Sequence, residues 1–281
     1  MAQATLDTLT PLLRDHLHHE GRVRVWSLIV TILGDAVELR GGEVPTARLA
    51  DLLEAMGISL AAQRTALSRL VADGWIERRK DPRDNRATRY RFTEAGRAEF
   101  VPAARLIYAA PGMVAREPWI MAADGPARGI PVGDGIALWP ADFAPRDLGF
   151  AMVGTFTTPT RALRAGTVTD AHAASVQDLQ VLLRFLETTF DPVTGRDAMV
   201  ARTILIHRWR RHVLRFPELP KELAPEGWTG LSLRADVGRA YARLQLYSDT
   251  YLNAFGPGFE AMPPADPEFY DRFKPRLGDR K

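Results

Sequence analysis

A chain of 281 residues, 46% hydrophobic and 25% charged, is too long for one small DNA-binding domain and has ample apolar material for buried cores. The formal net charge is +3, all but a handful of the 37 basic residues are Arg, and there is no cysteine, which excludes disulfides, thiolate zinc sites and cysteine nucleophiles. No apolar run reaches the ~18 residues of a membrane helix, and the opening MAQATLDTLT lacks the basic-then-apolar order of a secretory signal, so a cytoplasmic protein with no membrane partner is expected.

Residues 1–20 are polar, with His16, His18 and His19 ahead of Gly21. No second ligand cluster accompanies them, so they read as a solvated helix end and no metal site is expected. Residues 22–110 read as a first domain. Val23, Trp26, Ile29, Val30 and Leu33 repeat at helical spacing, and Gly34 is expected to close that helix. Leu49, Leu52, Leu53 and Met56 predict a second helix ending at Gly57. Ser59 is a natural N-cap for a third, in which Leu60, Leu67, Leu70 and Val71 are expected on the buried side. After Gly74, Trp75-Ile76 and Tyr90-Arg91-Phe92 predict two strands, and Thr93 can cap a further helix to about Ala110.

Residues 111–165 change character, because Pro and Gly become frequent. The apolar runs 119–122, 135–139 and 149–156 read as strands, and 129–135, GIPVGDG, reads as a turn. This is a small strand-rich module. Residues 166–255 are helical again. Their three amphipathic patterns run through Val176 and Leu186, Ile204 and Val213, and Leu233 and Tyr247. Residues 256–281 are Pro-rich and read as an irregular tail. The fold class is α+β, mostly helical.

The order helix, turn, helix, basic hairpin over residues 44–92 is the plan of a winged helix-turn-helix. Such a plan presents one helix to a DNA groove and one basic loop to the backbone. On a helical wheel of residues 60–71, Ala62, Thr65 and Arg69 oppose the apolar side, with Ser68 at the edge and Arg64 flanking the core face. Arg69 is the best candidate for a bidentate guanine contact, and Arg64, Thr65 and Ser68 can reach bases or phosphates. Between Trp75 and Phe92 lie Arg78, Arg79, Lys80, Arg83, Arg86, Arg89 and Arg91 against Glu77, Asp81 and Asp84, seven basic minus three acidic, or +4. The tip, Asp81-Pro82-Arg83-Asp84-Asn85-Arg86, has turn chemistry, and its cations suit phosphates or a minor groove.

Three blocks carry a family resemblance. They are SLIVTILGDAVELRGG at 27–42, RTALSRLVADGW at 64–75, and LIHRWR at 205–210 followed by Pro217-Glu218-Leu219-Pro220 and LAPEGWTG at 223–230. In these the chain resembles the phenylacetic-acid degradation repressor (PaaX) family. The resemblance implies a homodimeric bacterial repressor with an N-terminal winged helix, a ferredoxin-like middle dimerisation module and a C-terminal helical module. It implies a palindromic double-stranded operator, control of aromatic-acid catabolic genes, and release from DNA by phenylacetyl-CoA or a related acyl-CoA. The sequence departs from the pattern at Phe216, where an Asp is usual, and in a middle module trimmed between 122 and 134.

An acyl-CoA needs cations for its phosphates and an apolar pocket for its acyl group. Arg202, His207, Arg208 and Arg211 are the candidate effector residues, with Trp209, Phe216 and Trp228 nearby in sequence as pocket walls. The competing reading is a surface helix whose arginines pair with Glu187, Glu218 and Glu222. An alternative function is a DNA-bound factor without an effector, using its C-terminal domain for protein contacts. No Gly-x-Ser-x-Gly, P-loop or His-Glu-x-x-His occurs, so no catalytic residues, no cofactor and no enzyme activity are expected.

Overall fold

The computed structural model describes residues 24–82, 84, 86–123, 129–145, 148, 150–155, 157–191, 194–256 and 260–275. The histidine cluster at 16–19, Val23, Arg83 and residues 276–281 lie outside them. Two compact units form, and neither is a contiguous stretch of chain. One gathers described residues within Met1–Ala104, Arg184–Arg208 and Arg239–Tyr270; the other gathers those within Arg105–Leu183, Trp209–Gly238 and Asp271–Lys281.

In the first unit, α1 (Val25–Ile32) is buried from Ser27 onward. A helix with no polar face must be enclosed, and each fully buried Leu, Ile or Val there contributes about 1.5–3 kcal/mol. Thr31 satisfies its hydroxyl by donating to the Ser27 carbonyl at 2.9 Å. Gly34 does not close this helix, as its residue type led one to expect. The chain continues as a π-helical turn, Leu33–Val37, in which the Glu38 N–H donates to the Leu33 carbonyl at 2.8 Å. Gly34 is a packing device, since a Cβ there would lie 2.1 Å from the Phe100 ring.

Helix α2 (Thr46–Ala55) buries Leu49, Leu52 and Leu53. Gly57, at φ +78, reverses the chain in a left-handed conformation that costs glycine least. Ser59 then caps α3 (Leu60–Ala72), its side chain accepting from the Ala62 N–H at 3.3 Å. The buried stripe of α3 is Gln63, Ala66, Leu67 and Leu70. Leu60 and Val71, expected inside, are 49% and 41% exposed. The stripe is centred by a polar and a small residue, which a count of large apolar residues does not weigh. Gln63 is buried without penalty because its amide donates to the Ile58 carbonyl at 2.9 Å.

Strands β1 (Val44–Pro45), β2 (Ile76–Lys80) and β3 (Thr88–Phe92) form an antiparallel sheet in the order β1-β3-β2. Ile76 opposes Phe92 on the buried side, and Phe92 stacks on Phe100 at 5.3 Å. Phe100 belongs to α4 (Glu94–Ile107), whose start is fixed by the Gly96 N–H donating to Thr93 Oγ1 at 2.9 Å.

The second unit carries a four-stranded antiparallel sheet. Its strands are β4 (Trp119–Ala123), β5 (Ile130–Gly133), β6 (Ile136–Pro140) and β7 (Ala151–Gly154), in the order β5-β6-β4-β7. The run GIPVGDG, read as a turn, supplies strand β5. Pro131 is tolerated there because β5 is an edge. The ferredoxin-like plan needs crossover helices between its strands. The strand order β5-β6-β4-β7, antiparallel throughout, is the order of that plan, but the six residues separating β4 from β5 are too few for its crossover helix, so the module is a trimmed version of it. Trp119 and Ile130 pack with Leu219 and Leu223 as its core. The proline-braced segment Pro217-Glu218-Leu219-Pro220 thereby serves packing.

Three long helices follow the short α5 (Arg161–Ala165): α6 (Asp170–Thr188), α7 (Gly195–Val213) and α8 (Leu233–Asn253). Among the described residues no helix is long and apolar enough to cross a membrane. Residues 260–275 are irregular apart from one turn, α9 (Pro267–Tyr270), yet they are not loose. Phe269 is wholly buried, and Phe273 meets the Tyr108 ring edge-on at 5.7 Å.

Candidate nucleic-acid interface

The face of α3 away from its buried stripe carries Ala61, Arg64, Thr65, Ser68, Arg69 and Ala72, all exposed. Small residues keep it narrow, and Ser68 and Thr65 lie near its centre with Arg64 and Arg69 on its flanks. Arg64 thus belongs to the solvent face and does not border the core. Ala62, placed opposite the core by the wheel, is half-buried at its margin. Thr65 Oγ1 donates to the Ala61 carbonyl at 3.0 Å, which leaves its lone pairs outward. Arg69 Nε lies 3.4 Å from Asp73 across one turn, an exposed pair of little energetic weight.

The hairpin sorts its cations by register. Arg79 stands directly opposite Arg89, a like-charge pair that is unfavourable by itself. Acidic neighbours relieve it. Arg89 Nε lies 2.6 Å from buried Asp81, and Arg79 lies 3.2 Å from Glu77. Glu77 also holds Arg91, and that hydrogen bond, set against some desolvation, keeps the Glu77 carboxyl below its ordinary value. Arg64, Arg78, Lys80 and Arg86 are exposed and face no carboxylate among the described residues. Arg86 is positioned by its N–H, which donates to Asp84 Oδ1 at 2.8 Å.

Three of the four candidate effector residues are buried. Arg202 is fully enclosed, in an ion pair with Asp35 at 2.8 Å, hydrogen-bonded to Ser248 at 3.1 Å, and flanked by the Tyr241 and Phe269 rings. Tyr241 completes the group by donating to Asp35 Oδ1 at 3.0 Å. His207 Nδ1 lies 3.1 Å from Thr31 Oγ1, and Arg208 is 7% exposed. Arg211 alone of the four is exposed. The surface-helix alternative fits poorly as well, since α7 is mostly enclosed.

The aromatic residues noted near these cations do meet, within the second unit. His172 stacks flat on Phe216 at 4.9 Å and meets Trp228 edge-on at 5.1 Å. His212 packs beside Trp209 and lies 2.9 Å from Ser175 Oγ. Burial lowers His172 to about 4; burial first, then His172 and Arg234, lower His212 to about 3. Phe216 thus puts an apolar wall where the resembled pattern has an acid. Arg234 Nε lies 2.6 Å from Glu218, and Nη1 donates to the carbonyl of Leu106 at 2.9 Å; Trp209 Nε1 donates to that of Ile107 at 2.8 Å. These donors cap the C-terminal end of α4. Beside them lies a cavity of about 340 Å³ walled in part by Leu106, Val114, Trp139 and Phe143. The sequence reading missed those residues. Trp139 and Phe143 bracketing Pro140 were the only signal available.

A helix-turn-helix with a polar helix face, continued by a basic antiparallel hairpin, is the architecture of a DNA-binding module. The N-terminal model described as PaaX-like protein matches residues 24–96, and the PaaX-like C-terminal domain matches residues 165–254. The chain belongs to the PaaX-like family. It is 29% identical over 255 residues to the transcriptional repressor PaaX of Escherichia coli (strain K12), covering 78% of this chain and 79% of that one. Among solved structures, an uncharacterized protein of Mycobacterium tuberculosis, Rv0674, shares the fold with a TM-score of 0.50 at 18% identity. That match covers 80% of this chain and 97% of the other.

Proposed function

We propose that the chain is a transcriptional repressor of the PaaX type, with residues 22–110 as a winged helix-turn-helix. The observation that carries this reading is the exposed face of α3, joined through Asp73, Gly74 and Trp75 to a hairpin whose Arg78, Lys80 and Arg86 are exposed and meet no carboxylate among the described residues. Arg64, Thr65, Ser68 and Arg69 read base edges in a major groove. Arg78, Arg79, Lys80, Arg83, Arg86 and Arg89 serve the phosphate backbone, with those bound to Glu77 and Asp81 held in place for it.

The protein acts as a homodimer on a palindromic operator, so that each copy reads one half-site. Aromatic-acid catabolic genes are its targets, and an aryl- or acyl-CoA thioester releases it. The relationship to the Escherichia coli repressor supports this, as does an apolar cavity in the same chain. Of the effector cations, exposed Arg211 is the one placed to meet a soluble phosphate; Arg202 holds structure.

Genomic fragments selected on the immobilised protein, followed by fluorescence anisotropy on the recovered site, test the reading. Binding to a palindromic fragment that phenylacetyl-CoA reverses is the expected result. Equal affinity for all fragments would overturn operator recognition, and an unchanged titration with the thioester would overturn the effector.

A further inference from the structure

Helix α2, the first of the helix-turn-helix pair, is held by residues from the far end of the chain, all of them in the first unit. Arg196, in the first turn of α7, grips Asp51 through three hydrogen bonds. Its Nε donates to Oδ2 at 3.0 Å, and its Nη2 to Oδ1 at 2.8 Å and to the Asp51 carbonyl at 2.9 Å. Tyr251, in the last turn of α8, donates its hydroxyl to Oδ2 of the same carboxylate at 2.8 Å. Arg48, nearly one turn before Asp51, donates in return to the carbonyls of Tyr251, Ala254 and Glu260 at 2.6, 2.6 and 2.7 Å. It thereby caps the C-terminal end of α8, where carbonyls lack helical partners. Gly195 lets α7 begin against that end. A Cβ there would lie 2.1 Å from Thr250 Oγ1 and 2.8 Å from the Tyr251 amide nitrogen.

The energetics separate this grip from ordinary packing. The Arg196 and Asp51 side chains are 42% and 32% exposed, and ion pairs that far into solvent add little to stability. What a bidentate guanidinium–carboxylate pair does supply is direction, because two parallel bonds fix the fork against the carboxylate. Helix α2 passes that direction on at both ends. At its start Thr46 Oγ1 donates to the carbonyl of Thr88, the first residue of β3, at 2.8 Å. At its end the Gly57 turn leads into α3, whose Gln63 amide is bonded back to the Ile58 carbonyl. Base reading needs side chains placed to within about 0.5 Å. Attraction to phosphates is a longer-range charge effect that tolerates more play.

We propose that Arg196, together with Tyr251 and Arg48, sets the placement of the α3 face by holding α2 at Asp51. These are positioning residues that touch no DNA themselves, so the winged helix owes the aim of its groove helix to the C-terminal helices. The proposal rests on the operator-reading α3 proposed above.

Fluorescence anisotropy of the full-length chain on its selected operator and on a scrambled duplex, over a series of salt concentrations, tests it. Arg196→Ala should weaken operator binding about tenfold and scrambled binding less than about twofold, with the slope of log affinity against log salt unchanged. Asp51→Asn, close in shape to the native residue, should give the same pattern. The double variant should bind no more weakly than either single one, because all three break one contact. Thermal melts of the variants should stay near the parent's, since the pair is exposed. If Arg196→Ala melts early, Asp51→Asn decides alone. Parental operator affinity in both single variants, or additive losses in the double one, overturns the inference. Equal losses on the two DNAs with a shallower slope would make Arg196 a phosphate ligand and overturn it as well. In each of those cases a parent chain that prefers its operator leaves the reading of α3 intact. A parent without that preference sinks both together.

Discussion

The hairpin and the buried face of α7 both carry arginines, and they hold them in opposite ways. Arg78 and Arg86 stand in solvent with no carboxylate partner among the described residues, whereas Arg202 is wholly enclosed between Asp35, Ser248 and two aromatic rings. Arg40 and Arg48 extend the buried set. Arg40 lies 3.1 Å from Asp249, and Arg48 donates to the carbonyls of Tyr251 and Ala254, each at 2.6 Å. The guanidinium is the same in both regions, and the surroundings decide its use. An enclosed cation has already exchanged its water for protein partners and has nothing left for a phosphate. An exposed one keeps a releasable counterion atmosphere opposite DNA.

The largest expected effect comes from breaking the enclosed pair. Arg202→Met should cost about 3–5 kcal/mol, because Asp35 is left buried and uncompensated. Chemical denaturation measures this, and the double variant Asp35→Leu with Arg202→Met should recover most of the loss. A single variant as stable as the parent would erase the contrast between the two regions.

Next comes the exposed set. Arg69→Ala should cost about 1–3 kcal/mol on operator DNA and much less on scrambled DNA. Equal losses on both would reassign Arg69 from bases to backbone. A chain with Arg78→Ala and Arg86→Ala should bind both DNAs more weakly, and its log-affinity should fall less steeply with log salt, by about one unit per lost phosphate contact. An unchanged slope would mean that exposure alone does not make these cations DNA ligands.

Burial also acts on the imidazoles. An unfolded histidine takes its proton near 6.5, whereas His172 and His212 do so at about 4 and about 3 when folded. Protonation therefore favours the unfolded chain. The stability these residues allow is complete above about pH 6.5 and is lost as pH falls toward 4, by about 1.4 kcal/mol per pH unit per histidine. Denaturation between about pH 7 and about pH 5 should show the slope, and His172→Phe should flatten it. The smallest change is expected at Asp73→Asn, where loss of an exposed ion pair should move stability by less than about 0.5 kcal/mol.

Much of this was legible in the sequence where the cause is local. Gly57 and Ser59 marked the turn into α3, Thr93 marked the start of α4, and the three long C-terminal helices followed from their apolar spacing. Partners far along the chain were not legible. Arg202 meets the Asp35 carbonyl across 167 residues of sequence, and nothing near Arg202 announces that contact. Gly34 looked like a terminator because Phe100, which explains it, is packed there by a later helix. The α3 face was misjudged at Leu60 and Val71 because Gln63 and Ala66 centre its buried stripe. The cavity escaped notice because its walls come from separate segments that only folding assembles.

The π-helical turn at Leu33–Val37 has a consequence for chain length. Its wide loop holds one residue more than an ordinary turn would, and each residue of an α-helix adds about 100° of rotation and about 1.5 Å of rise. Deleting one residue there would let the helix close to its usual pitch. Because the wide turn spreads about the same rotation over one residue more, the segment beyond would keep its phase and Arg40 would still face Asn253 and Asp249. A substitution in the same stretch alters one side chain and leaves the phase alone. The segment is a one-residue surplus held in a wide turn, and a single deletion should be borne better there than in the regular turns of α1, where it would rotate everything beyond by about 100°.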